Sequence, residues 1–524
     1  GDSNVAVGSH ALDANTTGTQ NTALGQSALG GNTTASNNTA VGAYCLTANT
    51  TGTKNTAVGS NALDAVTTSS GNTAIGYQAL TTHTGNNCTA VGSEALKLNT
   101  AERCNAFGSV ALDANTTGND NNAFGTGALG SNTTGSSNVA FGKSALGSQT
   151  TASGNSAFGH EALLNNTASN NTAVGHDSLT ANTTGTSNVA VGSYSLDDNT
   201  TGGDNIAIGR QTLSLNTTQG NNVAVGSYAL SNATTSSNTA VGYIALNQTT
   251  TGTHNVAVGS FTAHSNTTGS GNSAFGYYAL SANTTANSNT AIGREALKVN
   301  TTGTSNTALG AYSLDANTTG TANIAIGSSS LTTSTTGSNN IGIGVQSLYT
   351  NTTGDSNVGM GGNTLYANTT GGFNTALGRF ALTANTTASL NTGVGYGALS
   401  SNTTGADNTS VGANSLDANT TGSNNTGMGR HALGANTTGA QNVAVGAYAL
   451  DDNTTGGNNI GIGYNSLSAN TDASNNIGIG FNSLVFNTTG DTNVAIGSNA
   501  LRENTTADNN TAVGNSALYA NTTG

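Results

Sequence analysis

Asn4, Asn21, Asn38, Asn55 and Asn72 each open the same phrase, Asn-x-Ala-apolar-Gly-x-x-Ala-Leu, and the phrase recurs to the end of the chain. There are 31 copies from Asn4 to Asn510; 26 of the steps between them span 17 residues and four span 16, the short ones ending at Cys88, Cys104, Asn171 and Asn238. A period this short leaves no copy able to bury its own apolar side, so each must stack on the one before it. The 524 residues therefore read as an all-β parallel solenoid, one continuous β-roll over 1–524, and not as several globular domains.

Composition supports that reading and removes alternatives. Charged residues are 6%, Pro is absent and Gly numbers 73. A disordered chain normally carries high net charge and Pro, and it lacks regularly spaced apolar positions. Lys and Arg total 10 against 23 Asp and Glu, so no basic stripe exists to neutralise phosphates and nucleic acid is not an expected partner. No apolar run is long enough to span a bilayer. The chain starts and stops within the linker of the phrase, at Gly1-Asp2-Ser3 and Asn521-Thr522-Thr523-Gly524. A solenoid needs polar caps, which leads to the expectation of an interior segment of a longer fibrous protein.

Numbering each coil from its opening residue, position 4 is apolar (Val7, Leu24, Ile75, Phe107, Met360) and position 9 is Leu in every coil but the one with Ala263. These two positions are the expected core, with position 2 (Val5, Thr22, Ile206) at its margin or at a contact between chains. Position 3 is Ala or Gly except at Ser410, which suggests the face opposite the core, where a backbone approaches closely. Position 5 is always Gly, pointing to a bend with positive φ. A second strand is expected at positions 7 to 9, with Asn-Thr-Thr-Gly at 12 to 15 as the return. At about 4.8 Å per rung the stack forms a rod of roughly 150 Å. Identical residues then form ladders: Asn at positions 1 and 12, and Phe107, Phe124, Phe141 and Phe158 at position 4. Coils such as Ile341-Gly342-Ile343 and Ile477-Gly478-Ile479 read as alternative fillings of one core shape.

The coil Asn188-Val189-Ala190-Val191-Gly192-Ser193-Tyr194-Ser195-Leu196 resembles the head repeat of trimeric autotransporter adhesins, and the resemblance spans the whole chain. It is also similar to repetitive phage tail-fibre shafts. The resemblance implies a left-handed parallel β-roll, association of three chains and a place on a cell surface or virion. The adhesin coil is usually a few residues shorter, and the stalk, neck and membrane barrel of that family have no counterpart in this sequence.

Few residues suggest chemistry. Cys88 and Cys104 replace the position-1 Asn in adjacent coils, so stacking places them within reach of a disulfide, the alternative being two small residues tolerated in a ladder. Cys45, at position 8, reads as a buried thiol. Asn-Thr-Thr is an N-glycosylation acceptor, with Asn15, Asn32, Asn49, Asn115 and Asn317 as examples, provided that they point outward. Thr17-Gly18-Thr19 and Thr184-Gly185-Thr186 have the spacing of ice-binding ranks, which most coils break. The seven His fall in seven different coils, His254 and His264 being nearest in sequence, so neither a metal site nor catalysis nor a cofactor is expected. Asp at position 10 (Asp13, Asp64, Asp113, Asp197, Asp315) lacks the calcium-roll phrase and reads as a solvated turn residue. Tyr44, Tyr194, Tyr228, Tyr278, Tyr312 and Tyr448, all at position 7, are candidates for surface recognition.

The preferred expectation is thus an extracellular structural rod holding a binding tip away from a surface, self-associating as a trimer or stacked fibre. The alternative is a recognition surface along the rod for glycans, matrix or ice. The irregular stretch from Thr81 to Cys104, with Lys97, Glu102 and Arg103, is the first place to look for a local site.

Overall fold

The computed structural model describes residues 1–523. It is an all-β parallel solenoid of 31 strands and about 30 turns, and the described residues form no helix. The chain falls into two compact units, Gly1–Asn255 and Val256–Gly524. The first carries β1 (Val5–Val7) through β15 (Thr239–Val241), and the second β16 (Val256–Val258) through β31 (Thr511–Val513).

Each coil contributes one three-residue strand at positions 2 to 4, paired in register with the same positions of its neighbour, as Val5 with Thr22, Ala6 with Ala23 and Val7 with Leu24. A 16-residue coil does not disturb the register: Thr73 still faces Thr89 and Ile75 faces Val91. The residue lost is the second of the two between position 12 and the position-15 acceptor, so that Asn222 reaches the Thr235 carbonyl 13 residues on, where Asn21 reaches that of Ala35 at 14.

The strand faces the opposite way from the sequence expectation. Position 3 (Ala23, Ala40, Ala57, Ala74) is fully buried, together with Ala, Cys or Ser at position 8 and Leu at position 9. Position 4 points outward, with Leu24, Ile75, Phe107 and Met360 between 37 and 46% exposed. Alternation along a strand says only that positions 2 and 4 share a face and position 3 the other. The coil is too narrow for large side chains from both walls, so Leu fills it from one and Ala meets it from the other. Ile341 and Ile343 therefore flank the core from outside; the room left by Gly342 is taken by Ser330, whose hydroxyl donates to the Gly342 carbonyl at 2.9 Å.

No second strand forms. Positions 7 and 9 both adopt left-handed backbone, as at Ser27 (φ 54°) and Leu29 (φ 53°), and the segment turns while still bonding between coils, Leu29 N–H donating to the Cys45 carbonyl at 3.0 Å. A β-branched residue is disfavoured at positive φ, yet Val110 (φ 51°) and Ile244 (φ 60°) adopt it at position 7, so the constant Leu at position 9 reflects its buried place in the core as well. The bend at position 5 is as expected: Gly8 has φ 137°, and a Cβ there would lie 2.5 Å from the carbonyl oxygen of Gly25 in the next coil. Both the conformation and the stacking exclude any other residue.

The two Asn ladders are the polar half of the core. At position 1, Asn21 N–H donates to Asn4 Oδ1 at 2.8 Å, and Asn21 Nδ2 donates to the Ala35 carbonyl at 2.8 Å. At position 12, Asn32 Nδ2 donates to Asn15 Oδ1 at 3.0 Å and to the same Ala35 carbonyl at 3.1 Å. The position-15 carbonyl is thus the meeting point of both ladders. Where position 12 is not Asn the ladder frays: Asn49, Asn132, Asn216 and Asn317 each keep a buried Oδ1 without a partner, below Val66, Gln149, Ala233 and Ser334.

Candidate functional site

The most extensive surface feature is the outward strand face. Position 4 forms an apolar column in each unit, including Leu24, Ile75, Phe141 and Ile208 in the first and Phe275, Leu309, Leu377 and Ile496 in the second, all 38 to 52% exposed. The expected Phe stack exists on this outer column, with Phe107–Phe124 centroids 4.7 Å apart, Phe124–Phe141 5.1 Å and Phe141–Phe158 6.3 Å. Position 2 runs alongside with Thr, Val and Ile, of which Ile206 is exposed.

A second surface is formed by positions 6 and 7. Of the six Tyr singled out at position 7, Tyr44 and Tyr194 are exposed and the others half-buried. Arg210, Arg294 and Arg430, at position 6, lie 5.7, 5.3 and 5.7 Å from the ring centres of Tyr228, Tyr312 and Tyr448 in the following coil, and Lys298 lies 5.8 Å from that of Tyr278. These cations cover ring faces that a ligand would otherwise stack on. The more open rings, which the sequence reading passed over, are Tyr77, Tyr243, Tyr277, Tyr396 and Tyr464 at position 6, 46 to 56% exposed. Where Gly397 takes position 7, Phe380 and Tyr396 flank a surface groove of about 360 Å³.

The stretch from Thr81 to Cys104 is internal chemistry and not an open site. Cys88 and Cys104 are buried free thiols, so the structure holds no disulfide between them. They sit as Asn substitutes: Cys88 Sγ accepts from Cys104 N–H at 3.4 Å and donates to the Ala101 carbonyl at 3.4 Å, while Cys104 Sγ donates to the Gly118 carbonyl at 3.3 Å. The facing Cys104 thiol, together with burial, pushes the Cys88 thiol up. Cys45 is buried as expected, and burial pushes its thiol up to about 11. His83 stands in the position-12 ladder, its Nε2 3.1 Å from Asn72 Oδ1 and its Nδ1 3.2 Å from the Asn99 carbonyl, and burial pushes it down to about 4.

The glycosylation candidates face inward. Asn32, Asn49, Asn115 and Asn317 are fully buried ladder members, and Asn15 accepts from Asn32, so the folded coil offers no glycan acceptor at these positions. Thr184 and Thr186 do face outward on either side of buried Gly185, whereas Thr19 is half-buried beside Thr17. The position-10 Asp are not simply solvated: Asp64, Asp197 and Asp315 each bury a carboxylate oxygen without a hydrogen-bond partner. Burial pushes Asp197 and Asp315 up to about 6.

Although the seven His fall in seven different coils, stacking brings two of them together beside an acid. His160 and His176 stack in adjacent coils, ring centroids 5.2 Å apart and planes at 9°, with Asp177 Oδ2 3.1 Å from His176 Nδ1. Among the described residues these three form the group able to offer one metal ligand atom each within 4.8 Å of one another. The missed signal was the 16-residue step ending at Asn171, which brings both His to position 6. His254 and His264, nearest in sequence, occupy positions 17 and 10 of successive coils, and burial pushes His264 down.

No protein-family model matches the chain, and no curated protein matches it. The class is defined by the structure alone: a tandem-repeat parallel β-solenoid. Among the described residues no helix is long and apolar enough to cross a membrane.

Proposed function

We propose that the chain is a structural shaft of an extracellular fibre, whose copies pack side by side through the strand face of positions 2 and 4. The observation that carries this reading is the apolar column at position 4 within each unit. The more exposed large side chains of the column, such as Phe158, Ile208 and Leu309, keep about 40% of their surface in water, on the order of 60 Å² for side chains of this size. Five or six coils already reach the few hundred Å² at which an exposed apolar patch marks an interaction site. Covering it with the same column of another copy contributes roughly 1.5 kcal/mol per coil at 25 cal/mol per Å². A second copy is the natural occupant, because only a partner with the same rise per coil keeps matching side chains over so many coils. The resemblance to adhesin heads favours three chains. A shaft of this kind needs no catalytic group; its task is length and stiffness, with recognition placed elsewhere.

Sedimentation velocity of the purified chain tests the reading. The expected species is an oligomer that dissociates when Phe107, Phe124, Phe141 and Phe158 are replaced by Lys together with Leu309 and Leu377, while the far-UV β signal is retained. A wild-type chain that stays monomeric across the accessible concentration range would rule the proposal out.

A further inference from the structure

We propose that His160, His176 and Asp177 bind a divalent transition-metal ion, of the zinc, cobalt, nickel or copper class, clamping two adjacent coils of the first unit. The short coil opened by Asn155 brings two imidazoles into one surface column, bounded by Lys143 in the coil before and Ser193 in the coil after. One ligand atom from each of the three residues already lies within 4.8 Å of the others. Around a tetrahedral ion with bonds of about 2.0–2.1 Å the donors sit roughly 3.3 Å apart. Both rings and the carboxylate are at least partly exposed, so side-chain rotation can close that difference. Two imidazole nitrogens and one carboxylate suit borderline ions; calcium and magnesium demand an oxygen shell that the two rings do not supply.

Two further observations converge on the same place. His160 Nδ1, Asp177 Oδ1 and Asp197 Oδ1 are all buried without a hydrogen-bond partner, a state that folded proteins rarely leave uncompensated. Beside them a groove of about 280 Å³ is lined by Glu161, Asp177, Asp197 and Asp198, together with Tyr194, and by no Lys or Arg. In a chain with 23 acids in all, four carboxylates in one groove concentrate negative charge where a cation would offset it. Glu161 Oε1, 3.7 Å from His160 Nε2, is placed to orient that ring or to supply a fourth donor.

Cobalt(II) absorption and zinc calorimetry on the full chain test this proposal. One ion per chain is expected, with a cobalt d–d spectrum that zinc displaces. His176→Gln and Asp177→Asn should each weaken zinc binding by more than about tenfold; Cys88→Ser/Cys104→Ser and His431→Ala should leave it unchanged. Native circular dichroism of the variants separates ligand loss from misfolding. Zinc binding that survives His160→Ala/His176→Ala, or no saturable binding by the folded wild type, would overturn the assignment.

Discussion

Two stretches of the same repeat obey different chemistry. From Asn351 to Asn504 position 12 is Asn in every coil, and from Asn368 on each amide donates to the one before, as Asn402 to Asn385 at 3.0 Å and Asn419 to Asn402 at 2.8 Å. From Asn49 to Cys104 the same column passes through Val66 and His83, and position 1 becomes Cys88 and Cys104. The regular stretch contains nothing in its ladder that titrates or oxidises. The irregular one replaces amides by an imidazole and two thiols, which satisfy some of the same bonds but respond to pH and oxidant. Amide ladders therefore make the coil indifferent to its solution, and each break gives up some of that indifference.

The sharpest way to break the contrast is to damage the regular ladder. Asn402→Leu orphans Asn385 Oδ1, takes from the Asn419 amide one of its two acceptors, leaving it only the Gly422 carbonyl, and removes one donor from the Gly405 carbonyl. The expected cost is about 3–4 kcal/mol, from roughly 1–3 kcal/mol for the buried orphan together with the two other lost bonds. Hydrogen exchange of the coils around Asn402 reads it locally, and unchanged protection would show that the ladder is not holding the coils together.

Acid should find the irregular stretch first. His83 is buried neutral with its pKa lowered to about 4, so the unfolded state binds the extra proton before the folded one does. Its contribution is present above the unfolded value near 6.5 and is lost as pH falls from there towards 4, by about 3 kcal/mol in total. Exchange near His83 should accelerate over that window, and His83→Asn should flatten the dependence. Equal acid sensitivity in the variant would place the cause elsewhere.

Repair should also be possible. Val66→Asn gives Asn49 Oδ1 its missing donor and supplies a donor to the Ser69 carbonyl, the position-15 acceptor of that coil. A gain of about 1 kcal/mol is expected in thermal or denaturant unfolding; a loss would mean that the apolar packing of Val66 outweighs the amide.

Smallest of the four is Asp315, a half-buried carboxyl in the second unit raised to about 6. Its sign is opposite to that of His83: the folded state holds the proton more tightly, so stability is fullest below the unfolded value near 4 and is lost as pH rises through about 6. Asp315→Asn should stabilise by about 1 kcal/mol at pH 8, after allowance for solvent screening, and by nothing near pH 3.5. The same gain at both pH values would point to packing and not charge.

The period, the parallel stacking, the Gly bend and both Asn ladders were legible because each is a property of one position repeated up the stack. Inside and outside were not legible at the strand. Val7, Leu24 and Phe107 look like core residues, and only the narrowness of the coil, already filled by Leu at position 9, turns them outward. That same inversion changed the meaning of Phe107 to Phe158 from a packed interior to an exposed stripe. The His160–His176 pair was hidden for a different reason. Their 16-residue spacing reads as an irregularity until the coil between them is aligned on its ladder positions, after which the two rings fall in one column.

The central claim, that the outward strand face is where copies of the chain meet, is tested most directly by cross-linking through a single introduced surface cysteine. Leu377→Cys places a thiol on the position-4 column, and Thr387→Cys places one on the exposed turn of the same coil. The three native thiols are buried and serve as silent background. Leu377→Cys is predicted to form interchain bismaleimide cross-links at dilute protein concentration while Thr387→Cys remains single-chain. Cross-linking through Thr387→Cys instead, or a Leu377→Cys chain that labels freely and never cross-links, would contradict the account.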